Sequence, residues 1–140
     1  MTRQQHAAAH AAPLRVLVVD DDPRVRAAMT AELTAAGCRP TATGPGRFTT
    51  STTAALQRHP AAQVDVALVD VALPTVAAGV ALIEQLSATL PVVAFSINGA
   101  ARVAAITAGA SAYLEKDGDT DRLLRALHTA TRPAHLRSSR

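Results

Sequence analysis

LRVLVVDDDP, running from Leu14 to Pro23, joins a hydrophobic run to an acidic turn. Its first part is short, aliphatic and β-branched, fit for a strand buried on both faces. Its second part is three carboxylates and a proline, with Asp22 suited to cap a helix and Pro23 to the first helical position. Val25, Met29, Leu33 and Ala36 then recur at helical spacing, and Gly37 stands where a C-terminal glycine belongs. A buried strand that delivers carboxylates into the start of a helix is one β-α unit, and the rest of the chain repeats it.

Arg39–Thr43 reads as a weaker strand, broken by Gly44-Pro45-Gly46, and a Thr/Ser-rich stretch leads into a short second helix ending near His59-Pro60. VDVALVD, Val64–Asp70, is a third strand, followed by a helix over Val80–Leu90 with Val80, Ile83 and Leu86 on one side. PVVAFS, Pro91–Ser96, is the fourth strand; Ala100–Ala108 is an Ala-rich helix closed by Gly109. SAYLE, Ser111–Glu115, and a helix from Thr120 to about Ala130, stopped by Pro133, complete the series. Five such units predict an α/β fold of three layers, a doubly wound parallel sheet with helices on both faces.

The bulk composition agrees. With 140 residues, 49% apolar and 18% charged, the chain is sized for one domain that closes a core without disulfides or a structural metal. No apolar stretch approaches the ~20 residues that span a bilayer. The tail Met1–Pro13 is Ala- and His-rich without a signal-peptide core, so a cytoplasmic location is expected. Within it His6 and His10 have helical i, i+4 spacing but make a weak metal candidate. Cys38 cannot pair internally and is expected to be a small buried hydrophobe. The net charge of +3 lies largely at the ends: without Arg3, Arg132, Arg137 and Arg140, 10 basic residues face 11 acidic ones. With three aromatic residues and no zinc-finger spacing, direct nucleic-acid binding is not expected. The predicted organisation is a flexible tail over 1–13, the domain over 14–131 and a basic tail over 132–140.

In a parallel α/β sheet, ligands bind outside the carboxyl ends of the strands. The first strand brings Asp20, Asp21 and Asp22 there, the third Asp70, the fourth Ser96 and the fifth Lys116. Carboxylates at ~4 Å repel by roughly 4 kcal/mol per pair at an effective dielectric of ~20, so gathering them asks for a cation. Oxygen-only ligands suit Mg²⁺, which would also neutralise an incoming phosphoryl group. Asp is a covalent acceptor of phosphate, Lys a compact charge for it, and Ser a further hydrogen-bond donor. Lys116 is moreover the one lysine beside 13 arginines.

VLVVDDDP from Val16, DVALP from Asp70 to Pro74, PVVAFS, and GASAYLEK ending at Lys116 together resemble the response-regulator receiver family of two-component signalling. The resemblance implies a flavodoxin-like, five-stranded sheet of order 2-1-3-4-5 and a signalling domain, not a classical enzyme. It implies that Asp70 takes phosphate from a sensor histidine kinase or phosphotransfer protein. Asp20, Asp21, Asp70 and the backbone carbonyl of Ala72 would hold Mg²⁺, Asp21 directly. Ser96 would swing to the phosphate, Lys116 would pair with it, and Tyr113 would be the rotamer switch. The switch would act on the face made by the fourth helix, fifth strand and fifth helix, through which a homodimer could form. Lys116-Asp117, where many members have Lys-Pro, resembles the DNA-binding LuxR-type branch, implying a link to transcription regulation. Gly79 stands nine residues after Asp70 where the family has eight, so the loop beside the site has changed length, and Ile97 follows the hydroxyl where a small residue is usual.

Two other readings use the same residues. One is a degenerate receiver, an interaction module that does not turn over phosphate. The other is a haloacid-dehalogenase-like phosphatase with Asp20 as nucleophile, although Pro23-Arg24 replaces the usual Gly-Thr. No Gly-rich turn follows the first strand, which speaks against dinucleotide binding. With no room for an output domain after Ala130, the chain is expected to be a stand-alone receiver or the N-terminal piece of a longer regulator.

Overall fold

The computed structural model describes residues 12–44, 64–71, 75–97 and 99–132. Within them lie strands β1 (Arg15–Val19), β2 (Arg39–Thr43), β3 (Val66–Asp70), β4 (Val92–Ser96) and β5 (Ala112–Glu115), and helices α1 (Pro23–Ala35), α2 (Val76–Ser87), α3 (Arg102–Ala108) and α4 (Thr120–Ala130). One turn of 3₁₀ helix, Gly99–Ala101, precedes α3. The second helix expected from the sequence, the backbone of Ala72, the pair His6 and His10, and most of both tails lie outside the described residues.

All strand pairs are parallel and the sheet order is β2-β1-β3-β4-β5, as expected. Side chains alternate across the sheet because a strand has a period of two. Leu17, Val19, Ala67, Val69, Ala94 and Tyr113 point to one side and pack with Leu82, Ile83 and Leu86 of α2 and Ala105 of α3. Val16, Val18, Val66, Leu68, Val93 and Phe95 point to the other and pack with Leu33 of α1 and Leu123 and Leu127 of α4. Both faces of β1 and β3 are thus dry, which explains why these strands read as continuous apolar runs. Cys38 is buried, as expected. No described helix is long and apolar enough to cross a membrane.

Two local features set the approach to the site. The Asp22 side chain accepts from Arg24 N at 2.9 Å and Pro23 opens α1; Gly37, at φ +90°, supplies the left-handed residue after it.

The second feature is a correction. The helix expected over Val80–Leu90 begins four residues earlier, at Val76, and ends at Ser87. Thr75 caps it by accepting from Ala78 N at 3.1 Å, so a stretch that reads as loop is a first helical turn. Gly79 falls inside that turn because the helix lies on the backbone of β3's end: a Cβ at 79 would overlap the Val71 carbonyl. Glycine is placed there by close approach, not by a turn.

Candidate functional site

Parallel pairing brings the strand ends level. Val19 pairs with Val69, so Asp20 and Asp70 end adjacent strands, and Ser96 pairs with Glu115, one residue before Lys116. Alternation then sorts the groups. Asp20, Asp70 and Lys116 follow the parity of Val18, Leu68 and Leu114, facing the layer of α1 and α4. Ser96 and Tyr113 follow the parity of Ala94, facing α2 and α3.

Asp20, Asp21 and Asp70 each present a carboxylate oxygen within 4.8 Å of the others. Asp20 is wholly buried and Asp70 is 6% exposed, whereas Asp21 opens to solvent. Lys116 Nζ lies 3.2 Å from Asp20 Oδ2 and 3.1 Å from Asp70 Oδ2, donating to both. Asp22 N donates to Asp20 Oδ1 at 2.9 Å, so both Asp20 oxygens are engaged. Burial pushes the Asp20 carboxyl up, against the opposing pull of the Asp22 N–H and the Lys116 ammonium.

The site residues expected from the sequence therefore divide into two sets. Asp20, Asp21, Asp70 and Lys116 meet. Ser96, buried at the end of β4, accepts from Lys116 N through its backbone carbonyl at 2.8 Å, joining the strand that carries the hydroxyl to the residue that carries the ammonium. Tyr113 is buried in the core on the α2–α3 side, with the Arg102 guanidinium 5.8 Å from its ring centroid. Asp22 turns away as the cap of α1.

Two residues at the site escaped the sequence reading. Phe95 lies under Lys116, with Nζ 4.7 Å from the ring centroid, a cation–π contact that limits where the ammonium can go. Its position beside Ser96 was the available signal. Arg26 donates from Nη1 to the Asp20 carbonyl at 2.6 Å; nothing in its spacing distinguishes it from Arg24.

Three carboxylates with oxygens this close form a hard, oxygen-only donor set, and the exposed Asp21 leaves an open side for water ligands. This fits Mg²⁺ by the chemistry of the donors. It does not fit zinc, which favours sulfur and nitrogen.

A family model described as the response regulator receiver domain matches residues 16–128. Among solved structures, the chain is similar to a response regulator receiver protein from Burkholderia phymatum, with TM-score 0.70 and 26% identity over 84% of this chain and 94% of that one. It is similar to NtrX from Brucella abortus, with TM-score 0.69 and 26% identity over 85% of this chain and 27% of that longer one. The BeF₃-activated N-terminal receiver domain of RstA from Klebsiella pneumoniae aligns with TM-score 0.70 over 85% of this chain and 99% of that one, at 22% identity, a likeness of fold. Among curated proteins none matches.

Proposed function

The chain belongs to the response regulator receiver domain family, and from that premise we propose that its receiver, residues 14–131, accepts a phosphoryl group on Asp70 from a histidine kinase or phosphotransfer protein. The observation that carries this reading is the ammonium of Lys116 held between Asp20 and Asp70, with Asp21 in the same cluster. Asp20, Asp21 and Asp70 would hold Mg²⁺, with the carbonyl of Ala72 a further ligand from the family pattern. That ion would supply charge neutralisation for the phosphoryl oxygens.

The chain's own groups have distinct tasks. An Asp70 carboxylate oxygen forms the new P–O bond as the P–N bond to the donor imidazole breaks, and the leaving imidazole takes up a proton. Lys116 holds Asp70 in place and then pairs with a phosphoryl oxygen as a point charge. Ser96 donates a hydrogen bond to the phosphate. Its approach frees space on the α2–α3 side, the side where Tyr113 lies, and Tyr113 carries the change to the face of α3, β5 and α4. Val103 (77% exposed) and Ile106 (43%) on α3 support that face as an apolar contact surface, for a homodimer or an output partner. Transcription regulation and a cytoplasmic setting belong to the same proposal.

The test is acetyl phosphate with Mg²⁺, read by intact mass. One phosphate should add to the wild type and none to Asp70→Asn. Failure of the wild type to label under any donor would favour the interaction-module reading. Labelling that survives Asp70→Asn and is lost in Asp20→Asn would favour the phosphatase reading, against which both Asp20 oxygens are already engaged.

A further inference from the structure

We propose that Arg26 is a positioning residue that sets how Asp21 faces Asp70, by holding the peptide plane between Asp20 and Asp21 through the Asp20 carbonyl. The inference rests on the reading of Asp20, Asp21 and Asp70 as an Mg²⁺ site.

Side chains on a helix lean toward its N-terminus, so a long residue in the first turn of α1 covers the turn before it. Arg26 does this: its Nη1 reaches back six residues to the Asp20 carbonyl at 2.6 Å. The same residue is tied from two other directions. Asp20 N donates to the Thr43 carbonyl at 3.2 Å, and Asp20 Oδ1 accepts from Asp22 N at 2.9 Å. Arg26 also lies at the end of β2, since a Cβ added at Gly44 would stand 3.5 Å from Nη1. The guanidinium therefore joins α1 to the carboxyl ends of β1 and β2.

Asp21 is what this arrangement controls. Its carboxylate has no hydrogen bond or ion pair among the described residues, so the backbone alone fixes the point from which the side chain reaches toward Asp70. A peptide is planar, with C=O and N–H opposed, so fixing the Asp20 carbonyl fixes the Asp21 N–H and the position of its Cα. Arg26 makes no ion pair among the described residues; its guanidinium is directed to the backbone carbonyl of the residue that opens the acidic turn. A guanidinium directed to a backbone carbonyl, and paired with no carboxylate among the described residues, orients the turn and does not neutralise it.

Charge and position predict opposite signs for one substitution. Removing a cation near three carboxylates should tighten a divalent ion if only charge matters; removing a positioning group should loosen it. The experiment is Mg²⁺ titration of the wild type, Arg26→Met and Arg26→Lys, followed by NMR at the Asp21 and Asp70 amides, with a thermal melt to verify folding. Arg26→Met should bind Mg²⁺ about three- to tenfold more weakly, the span of a net hydrogen bond of ordinary strength, as partial exposure implies. Its Asp21 amide resonance should already be displaced without metal. Arg26→Lys, which keeps charge and one donor, should fall between. Unchanged or tighter binding in Arg26→Met overturns the proposal. If that variant unfolds, wild-type affinity in Arg26→Lys overturns it instead. A wild type that binds no Mg²⁺ removes the metal reading and the proposal together, an outcome distinct from equal binding by all three proteins.

Discussion

Replacing Lys116 by methionine should destabilise the metal-free protein by about 3 kcal/mol and make Mg²⁺ a stronger stabiliser than it is for the wild type. The ammonium lies 3.2 Å and 3.1 Å from two carboxylates whose side chains are 0% and 9% exposed, and is itself 19% exposed. Methionine keeps the length of the stem and removes the charge. Breaking one side of a buried ion pair costs about 3–5 kcal/mol, and the partial exposure of Lys116 points to the lower end. The remaining carboxylates, with oxygens within 4.8 Å, repel by about 3.5 kcal/mol at an effective dielectric of about 20. A divalent ion relieves that repulsion and no longer competes with the ammonium for the same oxygens. Each tenfold gain in Mg²⁺ affinity adds about 1.4 kcal/mol of stabilisation at saturation.

Urea unfolding of both proteins with and without Mg²⁺ measures all of this. The pH dependence has a definite sign. The Asp20 carboxyl is already raised above its ordinary value of 3.8, and losing Lys116 raises it further. The folded state then holds a proton that the unfolded state has lost, so stability falls as the pH rises through the folded value. The deficit of the variant should therefore shrink as the pH is lowered from neutral through that raised value. A deficit under about 1 kcal/mol, or an Mg²⁺ stabilisation no larger than that of the wild type, would refute the picture of Lys116 as a cation held between two buried carboxylates.

Three further outcomes follow from single contacts. Gly79→Ala should cost about 3 kcal/mol or more in chemical denaturation, because its Cβ meets the Val71 carbonyl and α2 must lift off the end of β3. Asp65→Asn removes a two-pronged contact with Arg15, Nη2 at 2.8 Å and Nε at 3.2 Å; both side chains are a third or more exposed, so thermal melts at neutral pH should show a loss of about 1 kcal/mol at most. Arg15 holds the Asp65 carboxyl below its ordinary 3.8, so this stabilisation exists above that value, and the gap between the proteins should close as the pH falls through the lowered one. Asp21→Ala should weaken Mg²⁺ binding, measured by titration calorimetry, more than Asp22→Ala, whose carboxylate is occupied as the cap of α1; the reverse order would shift the metal site by one residue.

Much of this protein is carried by short-range signals. The strands are legible because burial on both faces leaves unbroken runs such as Val16–Val19 and Val66–Val69, and the ends of α1 because Asp22, Pro23 and Gly37 act on their immediate neighbours. Where a local signal depends on a distant surface, the reading failed. Thr75 and Gly79 look like loop until β3 supplies the backbone against which the first turn of α2 lies.

The site shows the same division. The residue types at the strand ends can be read along the chain, since each is the last polar group after an apolar run. Resemblance supplied the strand order, and pairing in the folded sheet gives it physical form. Lys116 is 96 residues from Asp20 and 46 from Asp70, separations that no periodicity links. Only the parallel register brings these groups level, and only strand parity sorts them: carboxylates and ammonium toward α1 and α4, Ser96 and Tyr113 toward α2 and α3. Which of 13 arginines reaches the Asp20 carbonyl was likewise undetermined, because a guanidinium on a flexible stem finds its acceptor through the packing of α1 against β1 and β2.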